Sequence, residues 1–463
     1  MAMPERLLTV ARACLARFNG MSDSVDLVVP NISEFNLRNF STRLRKEVER
    51  SFIGNGDMLS DQAVFWSLAS RVLVLPDGFD AGWFADVHHV LGVERPPVIS
   101  PAPRTGRLIA DLLADESALV RLRAVLGERR VRIMCFGVSP GVYQLLAAME
   151  AWGLDVELDG PAKQDYWSSL YLDNKLSCLD LAGRVAGFRV PSGITVTTPD
   201  ELEGALRTVL AEADRAIVKS MHGISGDGSI VVHRHELDTV WGNIYHDNFL
   251  HTFPVFVQPY IEHAKDTGCP AVDIRVVDAG VEAVVLSTMT VDVKRYLSVS
   301  VGERFVSPDV ADRLRSLGNA VGAAAHALGF RGWLCADCIV GRDRELYVTE
   351  INARRSGAMH PIALLAHCDD GSRGLVAHSH DSIPVRSAGG PISYDEHIRP
   401  LFEELWSQGV TAVPTAVRGL SRPMPIFAAA AVAETPESAR AIITDIQSMT
   451  CGERLLRHYD VCR

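Results

Sequence analysis

Two short apolar runs carry acids at a spacing that suits metal chemistry. Residues 334–340 read LCADCIV and residues 346–352 read LYVTEIN, with Gly341 to Glu345 between them. As a hairpin with 342–345 as its loop, Gly341 faces Leu346, and counting back sets Asp337 opposite Glu350. Directly opposed residues have Cβ atoms about 4.5–5.5 Å apart, and like charges there repel. A divalent cation between them removes the conflict. Glu350 and Asn352 are two apart, so they share a sheet face. Asp, Glu and Asn offer only oxygen donors, the set that suits magnesium bridged to phosphates. Asp337, Glu350 and Asn352 are therefore the candidate metal ligands. The bland alternative is an exposed polar sheet face, and the apolar character of both strands weighs against it.

A second group of residues suits phosphate. Residues 220–229, SMHGISGDGS, are rich in glycine and small side chains. A dinucleotide or P-loop fingerprint needs a helix directly after the loop. Here Ile230, Val231 and Val232 follow, so the segment reads as a strand–flap–strand hairpin, nearer to the loop that covers phosphates in kinases. Gly223, Ser225, Gly226 and Gly228 are its candidate binding positions. Lys219 ends the apolar run 216–218, and a charge buried there without a partner is costly. Lys175 follows Asp173 and Asn174 at the start of a helix expected over 175–188. A cation at that positive helix end is unfavourable unless an anion binds. Either lysine alone reads as a surface charge; with the flap they form a candidate polyphosphate site. Arg354, with Arg355 beside it, follows the metal strand at once. Arg275 lies within the apolar run 273–276 (DIRV). Arg275 and Arg354 are the candidate catalytic cations, suited to neutralising a transferring phosphoryl group. Residues 255–262, VFVQPYIE, form an apolar strand that ends in polar atoms. It can set backbone groups against an adenine edge and Glu262 against ribose hydroxyls.

These residues need elements to position them. The first third alternates expected strands (25–30, 71–75, 131–137) with helical patterns (120–126, 142–152), which favours an α/β layer with a parallel sheet. From about residue 170 the pattern becomes α+β. A helix over 199–213 has Thr197 and Thr198 as candidate caps. Strands are expected at 216–220, 229–233, 255–260, 273–278, 283–291, 297–301, 333–340 and 346–352, with a helix over 308–328. The Gly- and Ser-rich stretch up to 393 reads as a flexible connection. Beyond it, a helix near 398–408, a strand at 425–433 and a helix at 436–448 read as a small α/β appendage. The length of 463 residues fits about three domains, taken as 1–169, 170–370 and 371–463.

Composition removes several function classes. The net charge of −11 speaks against a general nucleic-acid binder, which needs excess Lys and Arg. The nine cysteines form no regular framework, and Cys335 and Cys338 sit in an apolar run where thiols behave as small buried hydrophobes. No stretch is long and apolar enough to span a membrane. The amphipathic stretch 1–18 lacks a secretory pattern, which gives a cytoplasmic expectation.

The order Asn174-Lys175, Ile217-Val218-Lys219, Gly-rich flap, Gln258-Pro259-Tyr260-Ile261-Glu262, Asp337, then Glu350-Ile351-Asn352-Ala353-Arg354 resembles the ATP-grasp superfamily. The resemblance covers about residues 170–367. It implies an ATP-grasp fold preceded by a Rossmann-like pre-ATP-grasp domain, with ATP and Mg²⁺ as cofactors. Lys175 and Lys219 would hold the phosphates, with the flap closing over them. Gln258, Tyr260, Ile261 and Glu262 would bind adenine and ribose. Asp337, Glu350 and Asn352 would carry magnesium, with Arg275 and Arg354 near the γ-phosphate. Pro259 departs from a donor role because it has no N–H, so Tyr260 or Ile261 must supply it. The layout is also similar to peptide ligases of the pheganomycin type, which join an amino acid to a ribosomally made peptide. The implied reaction is carboxylate–amine ligation through an acyl phosphate. Its partners are a small carboxylic acid and an amino-acid or peptide amine, and a homodimer is an open assembly. A carboxylase, a thiol ligase and a non-catalytic nucleotide-binding regulator remain the alternatives.

Overall fold

The computed structural model describes residues 24–451, apart from 39–45, 225–226, 248–249, 251–252, 265–266, 293–294, 370, 372 and 388–389. The N-terminal amphipathic stretch and the flap positions Ser225 and Gly226 lie outside the described residues.

Three sheets organise the chain. The first is parallel and contains β1 (Ser24–Val29), β2 (Arg71–Val74), β3 (Val98–Ile99), β4 (Arg130–Cys135) and β5 (Val156–Leu158), in the order β3-β2-β1-β4-β5. Its strands are near-continuous apolar runs because helices cover both faces. This doubly wound layout is the Rossmann-like layer expected from the strand–helix alternation.

The second sheet is antiparallel, with β6 (Ile194–Val196), β7 (Arg215–Ile224), β8 (Asp227–His233) and β9 (Val255–Pro259) in the order β6-β9-β7-β8. Its apolar face packs on the helix Pro199–Glu212 through Leu202, Leu206 and Leu210. Glu201 accepts from the backbone of Thr197 at 2.9 Å and closes the start of that helix.

The third sheet is antiparallel and contains eight strands. They are β10 (Cys269–Val277), β11 (Gly280–Asp292), β12 (Arg295–Val301), β13 (Gly332–Val340), β14 (Leu346–Asn352), β15 (Val376–Pro384), β16 (Ala412–Ala416) and β17 (Ile426–Ala433). Their order is β14-β13-β10-β11-β12-β15-β17-β16. The helix Pro308–Ala327 covers one face through Val272, Ile274, Val284 and Leu286. Gly318 and Gly322, four apart on the helix, allow that close approach: a Cβ at Gly318 would meet Val272 and Val284 at 2.8 Å. The opposite face meets the first sheet and carries most of the chemistry.

Three expectations need correction. The helix expected over 175–188 is only Ser177–Ala182, because Gly183 and Gly187, at φ 74, break the pattern. The stretch expected to be a flexible connection contains β15, a strand between β12 and β17. Its residues look like a loop because they are polar. Buried side-chain pairs satisfy them: His378 with Ser300 at 2.9 Å and Ser379 with His360 at 2.7 Å. The C-terminal elements are not an appendage either. Strands β15, β16 and β17 continue the large sheet and share a core with Phe65, Leu73 and Trp83 of the first third. Trp83 donates to the Pro414 carbonyl at 2.7 Å. Fully buried Asp61 accepts from Val417 N, Arg418 N and Arg418 Nε at 3.0, 3.1 and 3.0 Å. Among the described residues, no helix is long and apolar enough to cross a membrane.

Candidate active site

Asp337 does pair with Glu350, but by a different route from simple counting. The hairpin begins with Val340 opposite Leu346, one residue out of the expected register. A bulge between Asp337 and Cys338 absorbs the difference at Thr349 and restores the pair. Thr349 Oγ1 donates back to the Asp337 carbonyl at 3.0 Å and steadies the bulge.

Cations surround this pair. Lys175 Nζ lies 2.9 Å from Glu350 Oε2. Lys175 sits in the turn before the short helix, where Asn174 Oδ1 accepts from Leu176 N at 2.9 Å. Lys219, from β7, acts electrostatically on both Lys175 and Glu350. Asn352 Nδ2 donates to Asp337 Oδ2 at 2.9 Å, and Asn352 Oδ1 accepts from Arg354 Nη2 at 3.0 Å. Burial and then Glu350 push the Asp337 carboxyl well above the usual carboxylate range. Burial also acts to raise Glu350, but Lys175, Lys219 and Arg354 together hold it below its ordinary value. Burial, then Lys175, push Lys219 down to about 8. The site thus has one charged acid, one acid resisting charge and three cations beside them, Lys175, Lys219 and Arg354.

Two sheets meet here. Glu262 and Gly341 are linked through Arg342 N to Glu262 O at 3.2 Å and a bridge between His263 and Gly341. Lys175 N reaches Met221 O at 3.5 Å. The remaining nucleotide candidates fall on β7 to β9 and just after β9, beside the β13–β14 hairpin. Gln258 is buried, its amide donating to Pro191 O at 2.7 Å, so its side chain holds the chain leading into β6. Tyr260 N already donates to Arg215 O at 3.0 Å. Ile261 is then the remaining backbone donor candidate. The Glu262 carboxylate is ion-paired with both Arg215 and Arg342. Gly223 is near the end of β7; Gly228, at φ 78, opens the return along β8, with Ile224 paired to Asp227 across the tip.

The arginines separate. Arg354 turns toward the acids, over the Phe136 ring at 5.2 Å. Arg355 is buried in the opposite direction, paired with Asp159 and donating to Cys135 O at 2.8 Å. Arg275 is not brought to the acid pair. It is paired with Asp159 and lies 3.7 Å from Glu282, four residues along β10 from the partner of Asp337. There it lines a cavity of about 910 Å³ between the first and third sheets, with Trp66, Trp333, Tyr143 and Met359.

Several functional candidates escaped the sequence reading. Asp173 accepts from Ala353 N at 3.0 Å and from Arg38 at 2.6 Å, tying the end of β14 to the first third of the chain. Asp273, two residues from Arg275, shares the sheet face of Cys335, whose thiol donates to Asp337 at 3.2 Å. Burial pushes Asp273 up to about 6. Its signal in the sequence was an acid alternating with Arg275 inside an apolar strand. Asp159 carried no signal, because its partners come from distant segments.

The fold matches a known architecture. The chain has the ATP-grasp fold, and residues 61–151 match the family described as pre ATP-grasp domain. Among solved structures, N5-carboxyaminoimidazole synthase from Aspergillus clavatus, in complex with ADP and its aminoimidazole ribonucleotide, is 13% identical. The alignment covers 94% of this chain and 100% of that one, with a TM-score of 0.54. Biotin carboxylase from Campylobacter jejuni is 12% identical over 90% of this chain and 89% of its own, with a TM-score of 0.53. L-amino acid ligase from Bacillus licheniformis is 15% identical over 92% and 97%, with a TM-score of 0.50. At these identities the likeness is one of fold. No curated protein matches the chain by sequence.

Proposed function

We propose that this chain is an ATP-dependent ligase that joins a carboxylic acid to an amine. The observation that carries the reading is the convergence of Lys175, Lys219, Asp337, Glu350, Asn352 and Arg354 where the second and third sheets meet. Solved proteins of this fold hold ATP or magnesium ADP, which supports the same pair here.

The donor set fits magnesium in that company. Among the described residues, no three His, Cys, Asp or Glu side chains gather at one point. Two carboxylates and an amide leave positions for phosphate oxygens and water, which is how magnesium is usually held beside nucleotides. Asp337, Glu350 and Asn352 would hold it, with Asn352 Oδ1 giving up the bond it now accepts from Arg354. Bound there, the ion supplies charge neutralisation on the terminal phosphates. Lys175 and Lys219 bind phosphate oxygens, Lys175 giving up its present partner Glu350 to the metal. Arg354 reaches the transferring phosphoryl group and offsets its developing charge. The β7–β8 tip covers the phosphates and excludes water from the activated acid.

This charge arrangement favours an acyl phosphate over an acyl adenylate, because the cations gather at the terminal phosphates. The cavity beside Arg275 takes the substrate body. Its volume of about 910 Å³ lies near the top of the range of about 300–1,000 Å³ for small-molecule pockets. That size favours a peptide-like acid or amine over a small amino acid, in keeping with ligation in peptide natural-product synthesis. The test is product analysis over a panel of acids and amines. ADP and phosphate should form in step with the amide, and an oxygen label in the acid should enter the phosphate. Hydroxylamine should trap the activated acid as a hydroxamate. AMP and pyrophosphate as stoichiometric products would overturn the acyl-phosphate path, and no acid-dependent ATP cleavage would overturn the ligase reading.

A further inference from the structure

On the site face of the third sheet, polar atoms are buried without a hydrogen-bond partner: both carboxylate oxygens of Asp273, Ser287 Oγ and Tyr296 Oη. Asp273 and Ser287 are each 1% exposed. Asp273 pairs with Val285 and Ser287 with Ala271, so the two side chains are diagonal neighbours on one face. The Tyr296 hydroxyl from β12 stands beside the Asp381 carboxylate, without a hydrogen bond of normal geometry to it, and lies within electrostatic reach of Asp273 and Asp337. Ser356 and the Cys335 thiol stand beside Asp273, yet neither makes a hydrogen bond of normal geometry to it. Nearby cations are engaged elsewhere. Arg354 bonds Asn352 and the Arg355 carbonyl, and acts on Asp273 only through space. Arg275 is engaged by Asp159, and Lys175 by Glu350. A carboxylate buried in this way is costly unless something pairs with it.

Its position says what that something is. Along β10, Ala271 stands opposite Asp337, Asp273 opposite Cys335 and Arg275 opposite Trp333. Same-face residues two apart are about 7 Å apart along a strand. Asp273 thus lies midway between the phosphoryl site and the cavity. We infer that Asp273, helped by the Ser287 and Tyr296 hydroxyls, binds the ammonium group of the amine substrate and holds it beside the phosphoryl site. This rests on the ligase reading above. An ammonium has three donors and no acceptor, and the buried group here consists of acceptor-capable oxygens. The turn at residues 356–358 lies over the place, since a Cβ at Gly357 would meet the Tyr296 hydroxyl at 3.1 Å. That turn must shift to admit the amine.

Glycinamide, which carries an ammonium and no carboxylate, is the probe, with N-acetylglycinamide as its uncharged control. Both are titrated into wild type, Asp273→Asn and Tyr296→Phe proteins loaded with magnesium and a non-hydrolysable ATP analogue. Wild type should bind glycinamide and not the acetylated control. Asp273→Asn should lose about thirty-fold or more in glycinamide affinity, the scale of unpairing a buried charge. Tyr296→Phe should lose about fivefold, the scale of one hydrogen bond, and it carries the test if Asp273→Asn fails to fold. Equal binding by wild type and either variant, or no glycinamide binding by wild type, overturns the inference. So does magnesium binding without nucleotide that Asp273→Asn abolishes, which would make Asp273 a metal ligand. Hydroxamate formation by the wild type judges the ligase reading separately, so the two failures are distinguishable.

Discussion

At one end of the β10–β13 pair, Asp159 is clasped by Arg275 and Arg355, and each charge has a partner. At the other end, Asp337 faces Glu350 and the cations around them exceed what the acids need. The first cluster ties distant segments together, as does Asp61 with Arg418. The second holds like charges together where a folded protein gains nothing from doing so. Charges that are mutually satisfied serve the fold, whereas the charges left in conflict fit the ligand site proposed above.

The sharpest way to break this comparison is Asp337→Ala. It should lower turnover by about 10²–10³-fold or more, the scale for losing a group that stabilises charge in the transition state. Its thermal midpoint without nucleotide should stay level or rise, because repulsion with Glu350 is relieved. Glu350→Ala should abolish turnover equally but lower the midpoint, since Lys175 loses its partner. Retained activity in either variant, measured at ordinary magnesium, would remove the metal assignment.

Asp61→Ala probes the other kind of charge. It should cost about 3–5 kcal/mol of stability, because the mostly buried Arg418 guanidinium loses its carboxylate and keeps only the Pro76 and Asp77 carbonyls. Turnover per folded molecule should be unchanged. Denaturant unfolding beside activity measures both, and a stable variant would show that the C-terminal strands dock by apolar contact alone.

Lys219 gives a pH test. Its value in the empty fold is lowered to about 8, so the fold holds fewer protons than the unfolded chain between about 8 and 10.5. The stability of the empty protein should therefore rise with pH across that window. Nucleotide phosphates favour the charged amine, so binding takes up a proton there and ATP affinity should fall as pH rises past about 8. Lys219→Arg should flatten that dependence, because Arg stays charged. An identical slope in the variant would exclude Lys219 from the phosphate site.

The smallest effect expected is at the β7–β8 tip. Amide exchange at Met221, Gly228 and Ser229 should slow when an ATP analogue and magnesium bind, while exchange at Asp61 and Val417 stays as it was. Unchanged exchange at the tip would make this an ordinary hairpin turn.

Much of the candidate site was legible because the candidate residues lie on short local elements. The pairing of Asp337 with Glu350 was predicted, yet the loop that forms would not have produced it without the bulge at Thr349. Strand β15 was missed because its buried polar residues find partners on β12 and on the helix Met359–Cys368. Nothing local marks such a strand, since polar composition is what loops also show. The C-terminal segment was read as separate for a similar reason: its contacts with Trp83 and Asp61 cross more than three hundred residues.

The sequence by itself determined the identity of the metal ligands and phosphate cations as candidates, and the order that resembles ATP-grasp enzymes. Residue type and short spacing suffice for each part, because Asp337 and Glu350 lie on one hairpin and Lys219 adjoins the flap. Only the tertiary structure decided that Arg354 and not Arg355 turns to the acids, and that Arg275 belongs to the cavity wall. It alone showed Asp273 to be buried without a hydrogen-bond partner. Each of those outcomes depends on Asp159, Phe136 or β12 arriving from distant segments, and burial is a property of that assembly.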